Sequence, residues 1–415
     1  MNHDHRLRLM ALYLCAFLAL IAAINWLANP YGAWPVSAID SIYSKGAAER
    51  VATPYRVRAE QPAVMLVGSS RVIYGMKIDQ GERDGVLNAG LFGANLDEMA
   101  AVVETGLGNP RLKRVIWALD FFAFDQNLAG AIDRETRLRL AGNQRLKIME
   151  TLLSLDALDL SRRMLVRALY GRRNLPVLRA APIPWTQDEI RTEFARAAKG
   201  DLSQTSRSMI EAQVGYWIPI YSKYRWSDSR MALFSEVVAR ARRAGIDVIM
   251  FIPPLSAYEL EALRQSGQWQ AFQRWKRMIA AVGPYWDFSG YNQIADEADL
   301  FSDVAHYRPV VGFTILRRLL GDDCARCGER AQHVLDSGLR AEPATIDRML
   351  ATQEERKAAF LSRESPVSNM VEELRHRSVS VASASGESRE KSSASAGLLN
   401  PTAADPEMPA LGDDR

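Results

Sequence analysis

Residues 9–27 are apolar almost without interruption, and that fixes their conformation. The run LMALYLCAFLALIAAINWL carries no charge, and Asn25 is its only strongly polar member. A single such segment in hydrocarbon must satisfy its backbone internally, which leaves only a helix. About 20 apolar residues in a helix span a hydrocarbon core of ~30 Å. Arg6 and Arg8 precede the run, and no basic cluster follows it until Lys45. The positive-inside bias then puts residues 1–8 in the cytoplasm, 9–28 across the membrane and everything later outside the cytoplasm. Trp26 and Tyr31 suit the far interface. A cleaved signal peptide is the rival reading, but its apolar core normally runs about 7–15 residues and ends in small side chains. This run is longer and leads into Trp26 and Leu27, which favours an uncleaved anchor. Cys15 lies mid-span with no lipobox around it.

The other end has the opposite character. From Ser378 the chain is rich in Ser, Ala, Glu and Pro and has no aromatic residue. Such a segment buries too little apolar surface to offset its ordering entropy, so disorder is expected there. TIDRMLATQEERKAAFLSR has helical spacing, and a charged, exposed helix is expected within 343–376. The tail is accordingly set at 336–415. The averages, 48% hydrophobic and 24% charged, sum these unlike pieces. They exclude a wholly disordered or collagen-like chain. A balance of 52 basic against 49 acidic residues leaves +3, too little for a nucleic-acid binder. One domain remains, residues 29–335, with a helical insertion at about 123–227.

Within that domain, short apolar runs alternate with helical periodicity. Strands are expected at 63–67, 86–89, 114–120, 246–252 and 285–288. Runs apolar at consecutive positions suit strands buried on both faces of a parallel sheet. Helices are expected over Leu96–Gly106, Arg145–Arg173, Met231–Arg243 and Ala257–Ala281, with Gly245 ending the third. Strands separated by helices predict an α/β fold, a three-layer α/β/α sandwich around a roughly five-stranded parallel sheet.

In such sheets ligands bind beyond the carboxyl ends of the strands. That rim carries Gly68-Ser69-Ser70-Arg71, Asn88 to Gly93, Asp120 and Pro253-Pro254. Ser70, at the turn after the first strand, can present its hydroxyl beside backbone N–H groups, the pairing an acyl-transfer site needs. Gly-Ser-Ser is also an ordinary turn. Of five histidines, His3 and His5 precede the anchor and His333 and His376 lie in or near the tail, so His306 is the one base inside the domain. Asp303, three residues earlier, can orient it. A helix-start Asp beside a chance surface His is the bland alternative for that pair.

Ser70 in VGSSRV, the glycine-rich NAGLFGAN and Asp303-x-x-His306, in this order, resemble the SGNH (GDSL-like) hydrolase superfamily. The resemblance covers roughly residues 60–320. It implies a flavodoxin-like fold, Ser70 as nucleophile, His306 as base and Asp303 as its orienting carboxylate. It also implies an oxyanion hole of the Ser70 and Gly93 N–H groups. Arg71, Asn95, Asp120 and Tyr307 become candidate substrate contacts. One departure matters: where the family carries an Asn that donates to the oxyanion, this chain has Asp120, and an ionised Asp cannot donate. With its anchor, the chain is similar to bacterial cell-surface polymer acylation proteins of the alginate O-acetylation and teichoic acid D-alanylation types. That likeness implies a single-pass inner-membrane protein with a periplasmic domain. It also implies an acyl donor and a cell-surface polysaccharide as substrates, a membrane-bound O-acyltransferase as neighbour, and neither cofactor nor metal. A non-catalytic carbohydrate-binding or assembly subunit and a lipid acyl hydrolase are the other readings.

Cys324-x-x-Cys327 suits a local disulfide in an oxidising compartment; free thiols or a metal are the alternatives, and zinc would have only His333 nearby. Arg162, Arg163, Arg167, Arg172 and Arg173 could meet anionic lipid or acidic polysaccharide, or simply form a solvated helix face. The tryptophans are expected mostly in the core.

Overall fold

A computed structural model describes residues 3–34, 47–76, 85–129, 144–170, a few positions between 192 and 199, 205–321 and 329–377. The helices are α1 (His3–Ala28), α2 (Ala47–Glu60), α3 (Ser70–Gly75), α4 (Leu96–Leu107), α5 (Gln144–Leu153), α6 (Leu155–Tyr170), α7 (Arg207–Ser222), α8 (Asp228–Arg243), α9 (Ala257–Gln265), α10 (Trp269–Val282), α11 (Gln293–Asp296), α12 (Pro309–Leu320), α13 (Glu329–Ser337) and α14 (Ile346–Leu361). The strands are β1 (Val64–Val67), β2 (Val86–Asn88), β3 (Arg114–Ala118), β4 (Asp247–Ile252), β5 (Tyr285–Asp287) and β6 (Leu339–Ala341), in the order β2-β1-β3-β4-β5-β6. The first five pair in parallel, and β6 lies antiparallel to β5.

The sheet is covered on both faces because its strands are apolar at consecutive positions. Met65, Val67, Val115, Trp117, Met250 and Ile252 join one core, with α4, α8 and α10. Leu66, Ile116, Ala118 and Phe251 join the other, with α12. Successive side chains point to opposite faces, so each strand feeds both layers. Several termini match the sequence closely. Asn95 caps α4 in a capping box with Glu98. Gly245, at φ +77°, follows α8. The long helices expected over 145–173 and 257–281 are each broken in two, at Ser154 and at Ser266-Gly267.

The expected boundary at 335 falls too early. β6 completes the sheet, and α14 lies against it with Ile346, Met349, Leu350, Gln353 and Phe360 buried. The Phe360 ring sits 4.6 Å from that of Tyr291. Gln353 enters a buried polar cluster, bonding Lys276 and Asp287, which themselves pair at 2.9 Å. A further helix over 366–377 buries Val371. The helix expected to be exposed is thus part of the core; its buried residues Ile346, Met349, Leu350 and Gln353 fall at i, i+3, i+4 and i+7, three of them apolar. The tail from 378, where disorder is expected, lies outside the described residues, as do Cys324 and Cys327.

The helix α1 is long and apolar enough to cross a membrane, and little of it is covered by the rest of the chain. One face of its last two turns is covered: Ile21, Asn25 and Ala28 are buried. Tyr31, expected at the lipid interface, is buried instead in a small cluster with Ala28, Ala52, Tyr55, Ala157, Leu160 and Met164. The insertion between β3 and β4 divides accordingly, since α5 and α6 pack on α1 whereas α7 joins the main core.

Candidate active site

Parallel pairing brings the ends of β1 to β5 to one edge of the sheet. Ser70 opens α3 directly after β1. Its predecessor Ser69 is the N-cap, accepting from the Arg71 N–H. The cap leaves the Ser70 hydroxyl to project from the helix N-terminus. Across the rim, residues 302–306 form a loop closed by a bridge between Phe301 and Tyr307 and by the Ser302 N–H on the His306 carbonyl, 2.9 Å.

His306 Nε2 lies 2.8 Å from Ser70 Oγ, and His306 Nδ1 lies 2.8 and 2.7 Å from the two oxygens of Asp303. With Nδ1–H committed to the carboxylate, Nε2 carries the lone pair that accepts from the serine. Asp303 also accepts from the backbone N–H groups of Ala305 and His306, both at 2.9 Å. Burial alone would raise the Asp303 pKa; these hydrogen bonds and the imidazole outweigh it and hold the carboxyl below its usual range. The Tyr74 ring packs edge-on to His306 at 4.9 Å, restricting the imidazole.

The loop bearing the pair is held residue by residue. Val304 N–H donates to Gln213 on α7, the Val304 carbonyl accepts from Ser256 at the start of α9, and the Ala305 carbonyl accepts from Arg71 Nε at 2.9 Å. Arg71 therefore joins the residue after the serine to the residue before the histidine.

The glycine-rich loop after β2 runs beside Gly68, with Leu91 N–H on its carbonyl at 2.9 Å. Arg50 of α2 holds the Phe92 carbonyl and pairs with Glu98. Gly93 is exposed at φ +54°, in the left-handed region that favours glycine. Among the described residues, neither the Ser70 nor the Gly93 N–H has an acceptor.

The four candidate substrate contacts fare differently. Arg71 and Asp120 are 2% and 1% exposed and pair with each other, and Arg71 also grips both oxygens of Glu259 at 2.5 Å. Tyr221 donates to Glu259 at 2.6 Å. Burial pushes the Glu259 carboxyl up, opposed by the guanidinium. Asn95 is spent on its cap and on the Leu128 carbonyl. Tyr307 is fully buried, its ring packed where a side chain on Gly75 would stand. All four support the site from beneath instead of lining it. Asp120 is paired with Arg71 through Oδ1, while its buried Oδ2 has no hydrogen-bond partner among the described residues.

Glu259, Tyr221, Gln213 and Tyr74 are absent from the sequence reading. Ser256-x-x-Glu259 reads as a capping box, and indeed Ser256 caps α9; nothing in the spacing shows that Glu259 turns inward to an arginine 188 residues away. Among the described residues no group of three or more His, Cys, Asp or Glu side chains could hold a metal. In sequence, the chain matches no protein-family model and no curated protein.

Proposed function

We propose that this chain is a membrane-anchored, extracytoplasmic serine acyltransferase or esterase of the SGNH-like kind, acting on a cell-surface polysaccharide. The observation that carries the reading is the unbroken hydrogen-bonded series Ser70–His306–Asp303. The strand order 2-1-3-4-5 at the parallel part of the sheet supports a flavodoxin-like architecture. Arg6 and Arg8 before α1 favour the domain lying outside the cytoplasm.

Ser70 Oγ attacks the acyl carbonyl of a donor while its proton passes to His306 Nε2, and Asp303 steadies the imidazolium. The oxyanion faces the unpaired Ser70 and Gly93 N–H groups. The leaving alcohol takes the proton from His306, giving an acyl ester on Ser70. A sugar hydroxyl then donates its proton to His306 and attacks that ester, restoring Ser70; water in its place gives hydrolysis. The non-catalytic alternative, motivated by Asp120 and by the missing Asn, is answered only in part by the pairing of Asp120 with Arg71, since among the described residues no side chain takes the place of the Asn donor.

The test is labelling of the full-length protein with a fluorophosphonate, together with aryl acetate turnover. Wild type is expected to label and turn over, and Ser70→Ala to do neither. An active wild type whose Ser70→Ala variant keeps its activity would sink the assignment.

A further inference from the structure

The one polar side chain in the anchor is a latch, and what it latches is a second apolar surface. Asn25 is fully buried. Its amide donates to the Leu152 carbonyl at 2.8 Å and the Ser154 carbonyl at 3.2 Å, and its oxygen accepts from Ser161 Oγ at 2.9 Å. The carbonyls at the end of α5 have no partners within their own helix; Asn25 supplies one. The turn between α5 and α6 is thereby fixed beside the last turn of α1.

That turn is apolar and bare. Among the described residues outside α1, seven large hydrophobic side chains are exposed, and four of them, Met149, Leu153, Leu155 and Leu169, lie on α5 and α6. On α6 the residues Ala157, Leu160, Ser161 and Met164 face the body of the protein. Leu155, Leu158, Leu165 and Leu169 fall on an adjoining stripe that Arg162 interrupts, with Leu155 68% and Leu169 77% exposed. Arg162 and Arg163 are exposed on this helix and bond Asp159. At the same level of α1, Trp26 and Leu27 are exposed by 54% and 50%. An aromatic residue at a span end and exposed leucines interspersed with long basic side chains, whose stems can lie along lipid while their heads reach the headgroups, are what an interfacial helix presents to lipid.

We propose that α5 and α6 form a second membrane contact, seated in the interface of the leaflet where α1 emerges, so that the domain is docked on the bilayer and not held by a loose tether. The occupant is lipid, because the exposed Leu153 and Leu155 stand at the very turn that Asn25 holds, and Asn25 is followed in α1 by the exposed Trp26 and Leu27. The dock also reaches the candidate site. Tyr55 on α2 lies 3.2 Å from Thr151 of α5, and Arg50, five residues earlier on the same helix, holds the carbonyl of Phe92 beside Gly93. This inference rests on the reading of α1 as a membrane anchor.

The test uses the full-length chain with Cys15, Cys324 and Cys327 changed to Ser, carrying an environment-sensitive fluorophore at one introduced cysteine. The positions are Leu14→Cys in the anchor, Leu153→Cys and Leu155→Cys in the turn, and Glu236→Cys at an exposed site on α8, a helix with no residue in the cluster of α1, α2 and α6. The proteins are placed in phosphatidylethanolamine–phosphatidylglycerol vesicles containing a lipid with a nitroxide near the headgroup end of its acyl chain. Severalfold quenching at 153 and 155, with none at 236, is expected. Quenching at 14 with 153 and 155 as bright as 236 overturns the docking while leaving the anchor standing. An unquenched 14 overturns the anchor reading itself, and the docking with it.

Discussion

Arg71 carries the most informative test of how the site is built. Its guanidinium pairs with Asp120 and Glu259 where all three side chains are at most 2% exposed, and its Nε holds the Ala305 carbonyl. Arg71→Met keeps the length and apolar stem but leaves two carboxylates buried without a counter-charge. Removing one partner of a buried pair costs about 3–5 kcal/mol, against a total stability of about 5–15 kcal/mol for a domain. For a domain of roughly 300 residues each kcal/mol moves Tm by about 1.5–2 °C, so a loss of about 5–10 °C at pH 7 follows. Burial already pushes the Glu259 carboxyl up, and the guanidinium opposes it; in the variant that opposition is gone. A carboxyl whose folded pKa lies above its unfolded one is favourable to folding only at low pH, and its contribution falls as pH rises, by up to about 1.4 kcal/mol per pH unit. The deficit of Arg71→Met must therefore shrink on going from pH 7 to pH 5. Adding Asp120→Asn and Glu259→Gln should recover much of the loss, since neutral groups do not need the cation. The assay is thermal unfolding of the full-length protein in mild detergent, followed by tryptophan fluorescence. A variant within about 1 kcal/mol of wild type at pH 7, judged against the buried-pair cost above, or a deficit independent of pH, refutes the buried-network account.

Three further outcomes are expected. A Cβ on Gly75 would stand 2.0 Å from the Tyr307 ring; Gly75→Ala should cost about 1–3 kcal/mol by overpacking, measured in the same melt. It should also slow turnover, because α3 begins at Ser70 and Tyr307 follows His306. Phe360→Ala should cost about 3–5 kcal/mol, the usual loss for a buried phenylalanine, and truncation after residue 335 should give no cooperative melt, in contrast to truncation after residue 377. Asp303 is held below the usual carboxylate range, so its hydrogen bonds stabilise the fold above about pH 4 and are lost as pH falls through the lowered value. The melting temperature of wild type should therefore drop more steeply below pH 4 than that of Asp303→Asn, and parallel acid limbs would contradict this.

The α/β alternation, the five parallel strands and the pairing of Ser70 with Asp303 and His306 are legible because each has a local signature: a short apolar run, a turn after it, an Asp-x-x-His pair beyond the last parallel strand. The strand β6 is not, because Leu339-Arg340-Ala341 has no apolar run and pairs only at the sheet edge. The helix α14 was misjudged from its charge, although Ile346, Met349, Leu350 and Gln353 keep core spacing. The substrate contacts were misjudged for a different reason. A polar residue next to a nucleophile looks the same in sequence whether it points outward, as a ligand would require, or inward.

By itself the sequence determined what short-range chemistry can fix. Nineteen uncharged residues can only be a helix in lipid, consecutive apolar residues need a sheet covered on both faces, and a serine hydroxyl needs a base, for which Asp303-x-x-His306 after the last parallel strand is the local candidate. The tertiary structure alone decided how buried charge is neutralised and how the end of α1 is held. Arg71 meets Glu259 across 188 residues, and Asn25 meets the end of α5 across 127. Contacts at such separations leave no periodicity in the chain, because they are set by which faces the packed layers bring together.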